Sequence, residues 1–133
     1  MVRALKKVLH IEDEADIREV VKLALEAVGG LTVESCASGR EGLERIEAFG
    51  PDLVLLDAMM PEMSGADTLA KLRAAPATAT TPVIFMTAKI QPTEVEGFQQ
   101  LGAIGLVAKP FDPMTLADEI KAIWVQSESL VGR

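Results

Sequence analysis

The sequence predicts an α/β fold: a doubly wound, five-stranded parallel sheet in the order 2-1-3-4-5, with helices on both faces. Three observations lead there. Short apolar runs alternate with amphipathic helical patterns along the 133-residue chain, the pattern of βα units that cover a parallel sheet. The first, third and fourth runs are solidly apolar, as strands buried on both faces are. The second run alternates and carries Glu34, which suits an edge. The fifth is short and contains Gly105, which suits the other edge. The 2-1-3-4-5 order satisfies all three with right-handed crossovers.

Val8 to Ile11 reads as the first strand. Glu14 to Val28 follows as a helix, with Ile17, Val20, Val21, Ala24, Leu25 and Val28 at helical spacing on one face, and Gly29 and Gly30 stop it. Leu31 to Cys36 is the second strand. Ser38 and Glu41 form a capping box for a helix that runs to Gly50. Leu53 to Leu56 is the third strand. After a loop with Pro61, Ser64 caps a helix carrying Leu69 and Leu72. Val83 to Met86 is the fourth strand, and Pro92 starts a helix bearing Val95, Phe98 and Leu101. Ile104 to Ala108 is the fifth strand. Asp112 and Pro113 cap and open the last helix, whose buried face is Leu116, Ile120, Ile123 and Trp124. The whole, 1–133, reads as one domain with a core of about 6–125 and a frayed tail over 126–133.

Composition sets limits on function. Hydrophobic residues make up 49% and charged residues 25%, ordinary for a domain with a real core. No apolar run is long enough to span a bilayer, and the first residues have no signal-peptide core. The expectation is a cytoplasmic protein with no membrane insertion. The single cysteine, Cys36, fits a reducing compartment and reads as a packed residue. The formal net charge of −7, with no long Lys/Arg cluster, argues against direct nucleic-acid binding.

In such sheets ligands bind beyond the carboxyl ends of the strands, where the strand order reverses. Here that is the gap between the first and third strands. Glu12, Asp13 and Asp57 end those strands, Thr87 ends the fourth, and Lys109 follows the fifth. Three converging carboxylates repel one another unless a cation joins them or some are protonated. An all-oxygen ligand set in an open crevice suits Mg²⁺. Zinc does not fit, because the only histidine, His10, lies inside a strand and Cys36 is remote. A hydroxyl at Thr87 and a mobile charge at Lys109 complete a set suited to phosphoryl transfer, with Asp57 as a carboxylate nucleophile.

Taken singly, most of these residues have plain structural uses. Glu12 and Asp13 complement a helix dipole, Thr87 suits a strand-end turn, and Lys109 suits a solvated surface. His10 reads as a packed strand residue, and Met59, Met60 and Met63 as loop packing. Asp57 is the hardest to explain structurally, since it ends a solid apolar strand.

Together the segments Ile11-Glu-Asp-Glu14, Asp57-Ala-Met-Met-Pro-Glu-Met-Ser-Gly65, Met86-Thr-Ala88 and Lys109-Pro-Phe111 resemble the response-regulator receiver family, from about Lys7 to Trp124. The resemblance implies a flavodoxin-like fold and a role as phospho-acceptor in a two-component or phosphorelay system. It implies Asp57 as acceptor, Mg²⁺ held by Asp13 directly, by Glu12 through water, by Asp57 and by the Met59 backbone carbonyl. Thr87 would donate to the phosphoryl group and Lys109 would pair with it. It also implies a cis Lys109–Pro110 bond and a loop shaped by Pro61 and Gly65. Two positions depart from the family's pattern. Leu106 stands where an aromatic often sits, so the family's aromatic switch cannot work in that form. Ser64 stands where Asp is common, and Ser caps helices well.

The partners implied are a histidine kinase or histidine phosphotransfer protein, a downstream protein target and, as a further possibility, a second copy in a homodimer. On this reading the chain is a signalling switch that catalyses its own phosphorylation and slow dephosphorylation, with Met59 and Lys89 flanking the water's approach in the family's geometry. Other classes fit less well. A dehalogenase-type hydrolase usually has a second Asp where Met59 stands. An FMN carrier needs a phosphate-cradling loop where Glu12, Asp13 and Glu14 stand. A pseudo-receiver would not need the full set of Asp13, Asp57, Thr87 and Lys109. Receivers often precede an output domain, so output here is expected through a partner, unless the chain is an excised piece.

Overall fold

The computed structural model describes residues 3–88 and 91–131, with the side chains of residues 130 and 131 left aside. Lys89 lies outside the described residues. The five apolar runs form strands β1 (Lys7–Ile11), β2 (Thr32–Cys36), β3 (Leu53–Asp57), β4 (Val83–Thr87) and β5 (Gly105–Ala108). They pair in parallel in the expected order β2-β1-β3-β4-β5. The helices are α1 (Ala15–Leu23), α2 (Gly39–Phe49), α3 (Gly65–Ala74), α4 (Pro92–Gln100) and α5 (Leu116–Val131).

Side-chain alternation along the strands divides the core in two. On one face Val8, Leu53, Leu55, Ile84, Met86 and Val107 pack against Val21 and Leu25 and, from α5, Leu116, Ile120 and Trp124. On the other, Leu9, Ile11, Val54, Leu56 and Phe85 pack against Ile46 of α2, Leu69 and Leu72 of α3 and Phe98 of α4. Buried Cys36 belongs to this second layer.

The caps form much as the sequence implies. Ser38 Oγ accepts from the Glu41 N–H at 3.1 Å, while Glu41 reaches back to the Ala37 N–H at 2.7 Å, one residue beyond the expected partner. Ser64 Oγ accepts from the Asp67 N–H at 3.1 Å. Asp112 caps a turn instead of opening the last helix directly. Its carboxylate accepts from the Met114 N–H at 2.8 Å and its carbonyl from the Leu116 N–H at 3.0 Å, so α5 begins at Leu116.

Three expectations need correction. The single helix expected over 14–28 is α1 followed by a π turn, Ala24–Val28, closed by Gly29 N–H to Ala24 C=O at 3.1 Å. The wider turn shifts the helical phase, and Val28 is exposed, as is Val20 on the flank of α1. It also carries Glu26, whose carboxylate accepts from the Val33 N–H at 3.1 Å and so occupies a donor of edge strand β2. Leu101, placed on the fourth helix with Val95 and Phe98, lies just past the end of α4 and is exposed. Finally, the frayed tail expected from 126 is helical to Val131. The N-terminal segment straps it: Trp124 Nε1 donates to the Arg3 carbonyl at 2.6 Å, and the Arg3 guanidinium lies 4.9 Å from the Trp124 ring centroid and pairs with Glu128 at 3.1 Å.

His10 is fully buried in the face that holds α1 and α5, in register with Ser35 and Leu55. Burial, then the charges of Lys109 and Arg18, lower its pKa from 6.5 to about 3. Below pH 6.5 the unfolded chain therefore binds a proton that the folded chain refuses, and stability falls as pH drops toward 3. Urea unfolding should show wild type losing stability over this window more steeply than His10→Leu. Parallel losses in the two proteins would show that His10 does not resist protonation.

Candidate functional site

The crevice forms where the chain turns to opposite sides of the sheet, between β1 and β3. Glu12 follows β1 directly. Its N–H donates to the Cys36 carbonyl at 2.9 Å, and its carbonyl accepts from Arg18 Nη1 at 2.8 Å. These bonds hold the Glu12 backbone from both sides, and its side chain is 0% exposed. Asp13, one residue on, is exposed. Asp57 ends β3 in register with Met86 and is only 3% exposed.

The loop after Asp57 folds back over the strand end. The Ala58 N–H donates to the Met86 carbonyl at 3.0 Å, and the Gly65 N–H to the Ala58 carbonyl at 3.1 Å. Only glycine fits at 65, because a Cβ there would lie 2.5 Å from the Asp57 carbonyl oxygen and 2.9 Å from Ala58 Cα. Thr87, 2% exposed, ends β4, and its carbonyl accepts from the Lys109 N–H at 2.9 Å. The Lys109–Pro110 bond is cis, as the resemblance implied.

Lys109 joins the two buried acids. Its Nζ lies 2.8 Å from Glu12 Oε1 and 3.1 Å from Asp57 Oδ1. Carboxylate oxygens of Glu12, Asp13 and Asp57 all lie within 4.8 Å of one another. Burial is the largest influence on Glu12. It outweighs the hydrogen bond from Lys109 and, with the charge of Asp57, raises the pKa from 4.5 to about 7. For Lys109 burial acts downward, but the bonds to Glu12 and Asp57 prevail and the pKa is raised. Two carboxylates thus share one ammonium, with a third acid at the rim: an oxygen-rich, charge-deficient site of the kind that favours a hard dication.

Five of the six expected positions stand together: Glu12, Asp13, Asp57, Thr87 and Lys109 lie at the carboxyl ends of the strands or in the residues that follow them. Met59, the sixth, donates its N–H to Asp57 Oδ1 at 3.4 Å, but its side chain is 64% exposed. The expectation that it packs the loop fails, because this side chain has no core layer to enter. Met60 and Met63 are partly buried, Met60 against the second core layer. Sequence reasoning passed over Arg18. Its one signal is its place one helical turn past Glu14, near enough to reach back to the Glu12 carbonyl.

The profile of the response regulator receiver domain matches residues 8–121. The curated transcriptional regulatory protein CseB of Streptomyces coelicolor is 37% identical over 116 residues, 87% of this chain and 48% of its own. The chain therefore spans about half the length of the curated relatives it matches. Among solved structures, the chemotaxis protein CheY4 of Vibrio cholerae superposes with a TM-score of 0.82 at 31% identity, covering 90% of this chain and 99% of that one. The N-terminal domain of a response regulator receiver protein from Methanoculleus marisnigri gives 0.73 at 35% identity, covering 90% and 96%. The fold and the acidic crevice define a flavodoxin-like switch domain. The chain belongs to the response regulator receiver domain family, whose members serve two-component signalling by phosphorylation on Asp. No helix among the described residues is long and apolar enough to cross a membrane.

The Glu12 shift has a testable sign. Its folded pKa of about 7 lies above the ordinary value of 4.5. Its contribution to stability is full below about 4.5 and is lost as pH rises through about 7. With divalent metal chelated, the stability of wild type relative to Glu12→Gln should decline across that window in denaturant titrations. A constant difference would mean that Glu12 is ionised throughout.

Proposed function

We propose that Asp57 is the phospho-acceptor and that Glu12, Asp13, Asp57 and the Met59 backbone carbonyl hold Mg²⁺. The observation that carries this reading is the buried Asp57 carboxylate, 3.1 Å from Lys109 Nζ, at the reversal of strand order. In the reaction, an Asp57 carboxylate oxygen attacks the phosphorus of a phosphohistidine on a kinase or phosphotransfer protein. The N–P bond breaks as the O–P bond forms, and the imidazole leaves.

Bound Mg²⁺ would supply charge neutralisation for the phosphoryl oxygens. Lys109, already held between Glu12 and Asp57, is in place to move onto those oxygens as they arrive. The Thr87 hydroxyl would donate to another. Burial of Asp57 keeps bulk water from the new acyl phosphate. The domain promotes its own phosphorylation and slow dephosphorylation in this way, and acts as a switch for a downstream protein. The partners proposed are proteins, since a net charge of −7 opposes a nucleic-acid backbone.

An acyl phosphate plus Mg²⁺ should add one phosphoryl group by mass spectrometry to wild type and none to Asp57→Asn. Asp13→Ala should stay folded and lose both Mg²⁺ binding and labelling. Full labelling of Asp57→Asn, or an unchanged Mg²⁺ titration in Asp13→Ala, would overturn the assignment.

A further inference from the structure

We propose that Met59 is a site of reversible sulfur oxidation, and that its sulfoxide shortens the lifetime of the phosphoryl group on Asp57. The second half rests on the reading of Asp57 as acceptor.

The sulfur atoms of the described residues differ sharply in access. Cys36 is 0% exposed, and burial pushes its thiol up to about 12, so it offers no thiolate to an oxidant. Met86 is 0% exposed. Met60 and Met63 are partly buried, and Met63 Sδ packs beside Gly39, 3.1 Å from where a Cβ would stand. Met59 and Met114 are 64% and 66% exposed. Of these two, only Met59 adjoins the acceptor, with its N–H on Asp57 Oδ1 at 3.4 Å. Met114 sits in the turn before α5, bonded to Asp112.

The chemistry requires a hydroperoxide. The Met59 thioether attacks one peroxide oxygen and the O–O bond breaks. With hydrogen peroxide, sulfur loses two electrons, the second oxygen takes up the proton, and water leaves. Methionine sulfoxide reductases reverse the change. A thioether is a weak acceptor that holds water poorly, whereas a sulfoxide oxygen is polar and accepts strongly. Oxidation would therefore create an acceptor at the rim of the crevice that can hold a water for attack on the aspartyl phosphate. The exposed side chain gains this oxygen without disturbing the core.

The test treats the folded protein with hydrogen peroxide, maps sulfoxides by peptide mass spectrometry, and follows loss of phosphoryl label after acyl-phosphate labelling with Mg²⁺. Met59 and Met114 should oxidise before Met60, Met63 and Met86. Peroxide should shorten the label's lifetime severalfold in wild type and in Met114→Leu, and sulfoxide reductase should restore it. In Met59→Leu, measured against its own untreated baseline, peroxide should change nothing. Met59→Asn should be short-lived without peroxide. Slow oxidation of Met59, an unchanged or longer lifetime, or equal shortening in Met59→Leu would overturn the proposal. Absence of label on untreated wild type would instead remove the reading of Asp57, and the proposal with it.

Discussion

Lys109 Nζ reaches Glu12 Oε1 at 2.8 Å and Asp57 Oδ1 at 3.1 Å, bringing together three residues from far-separated parts of the chain. Two carboxylates buried side by side with no countercharge would cost several kcal/mol. The bridging ammonium makes their approach tolerable, and the raised Glu12 pKa shows that the compensation is incomplete. Much of the fold serves this contact. The reversal of strand order sets β1 beside β3, so their ends deliver Glu12 and Asp57 to one crevice. The Lys109 N–H on the Thr87 carbonyl fixes the chain leaving β5. Arg18, on the Glu12 carbonyl, secures the other side. Gly65 lets the loop after Asp57 close without pushing the acceptor outward.

The two core layers hold this edge in different ways. The layer with α1 and α5 is deep, and Trp124 and Arg3 extend its grip along the last helix. The layer with α4 is lighter. No α4 residue is buried outright, and its ring contact is Phe98 against Phe85, with centroids 4.5 Å apart. Leu106 packs only partly into this layer and offers no ring and no hydroxyl, so a response there is confined to repacking. Small contact area and few buried anchors are what make an element easy to displace.

Much of this was legible in the sequence because it depends on pattern and chain order. Solid apolar strands gave the centre of the sheet, the charge of Glu34 gave an edge, and Ser38 and Ser64 marked helix starts. Acids at strand ends then had one place to converge. What escaped were features set by neighbours distant in sequence. The π turn follows from how Ala24 to Val28 meet α5 and β2, where Lys121 holds the Gly29 carbonyl at 2.7 Å and Glu26 the Val33 N–H at 3.1 Å. The last helix, which continues past 126, is met by Arg3 from the far end of the chain, through Trp124 and Glu128. The exposure of Met59 depends on the path of a loop that no period describes.

If one crevice charge is handled either by Lys109 or by a dication, the two should substitute for each other. The direct measurement is the rise in thermal midpoint on adding saturating Mg²⁺, in wild type and in Lys109→Met. Ligand binding to the folded state raises the midpoint by an amount that grows as the logarithm of ligand concentration over its dissociation constant. The account predicts that Lys109→Met is less stable than wild type without metal and gains more from Mg²⁺. A smaller gain in Lys109→Met than in wild type would contradict it.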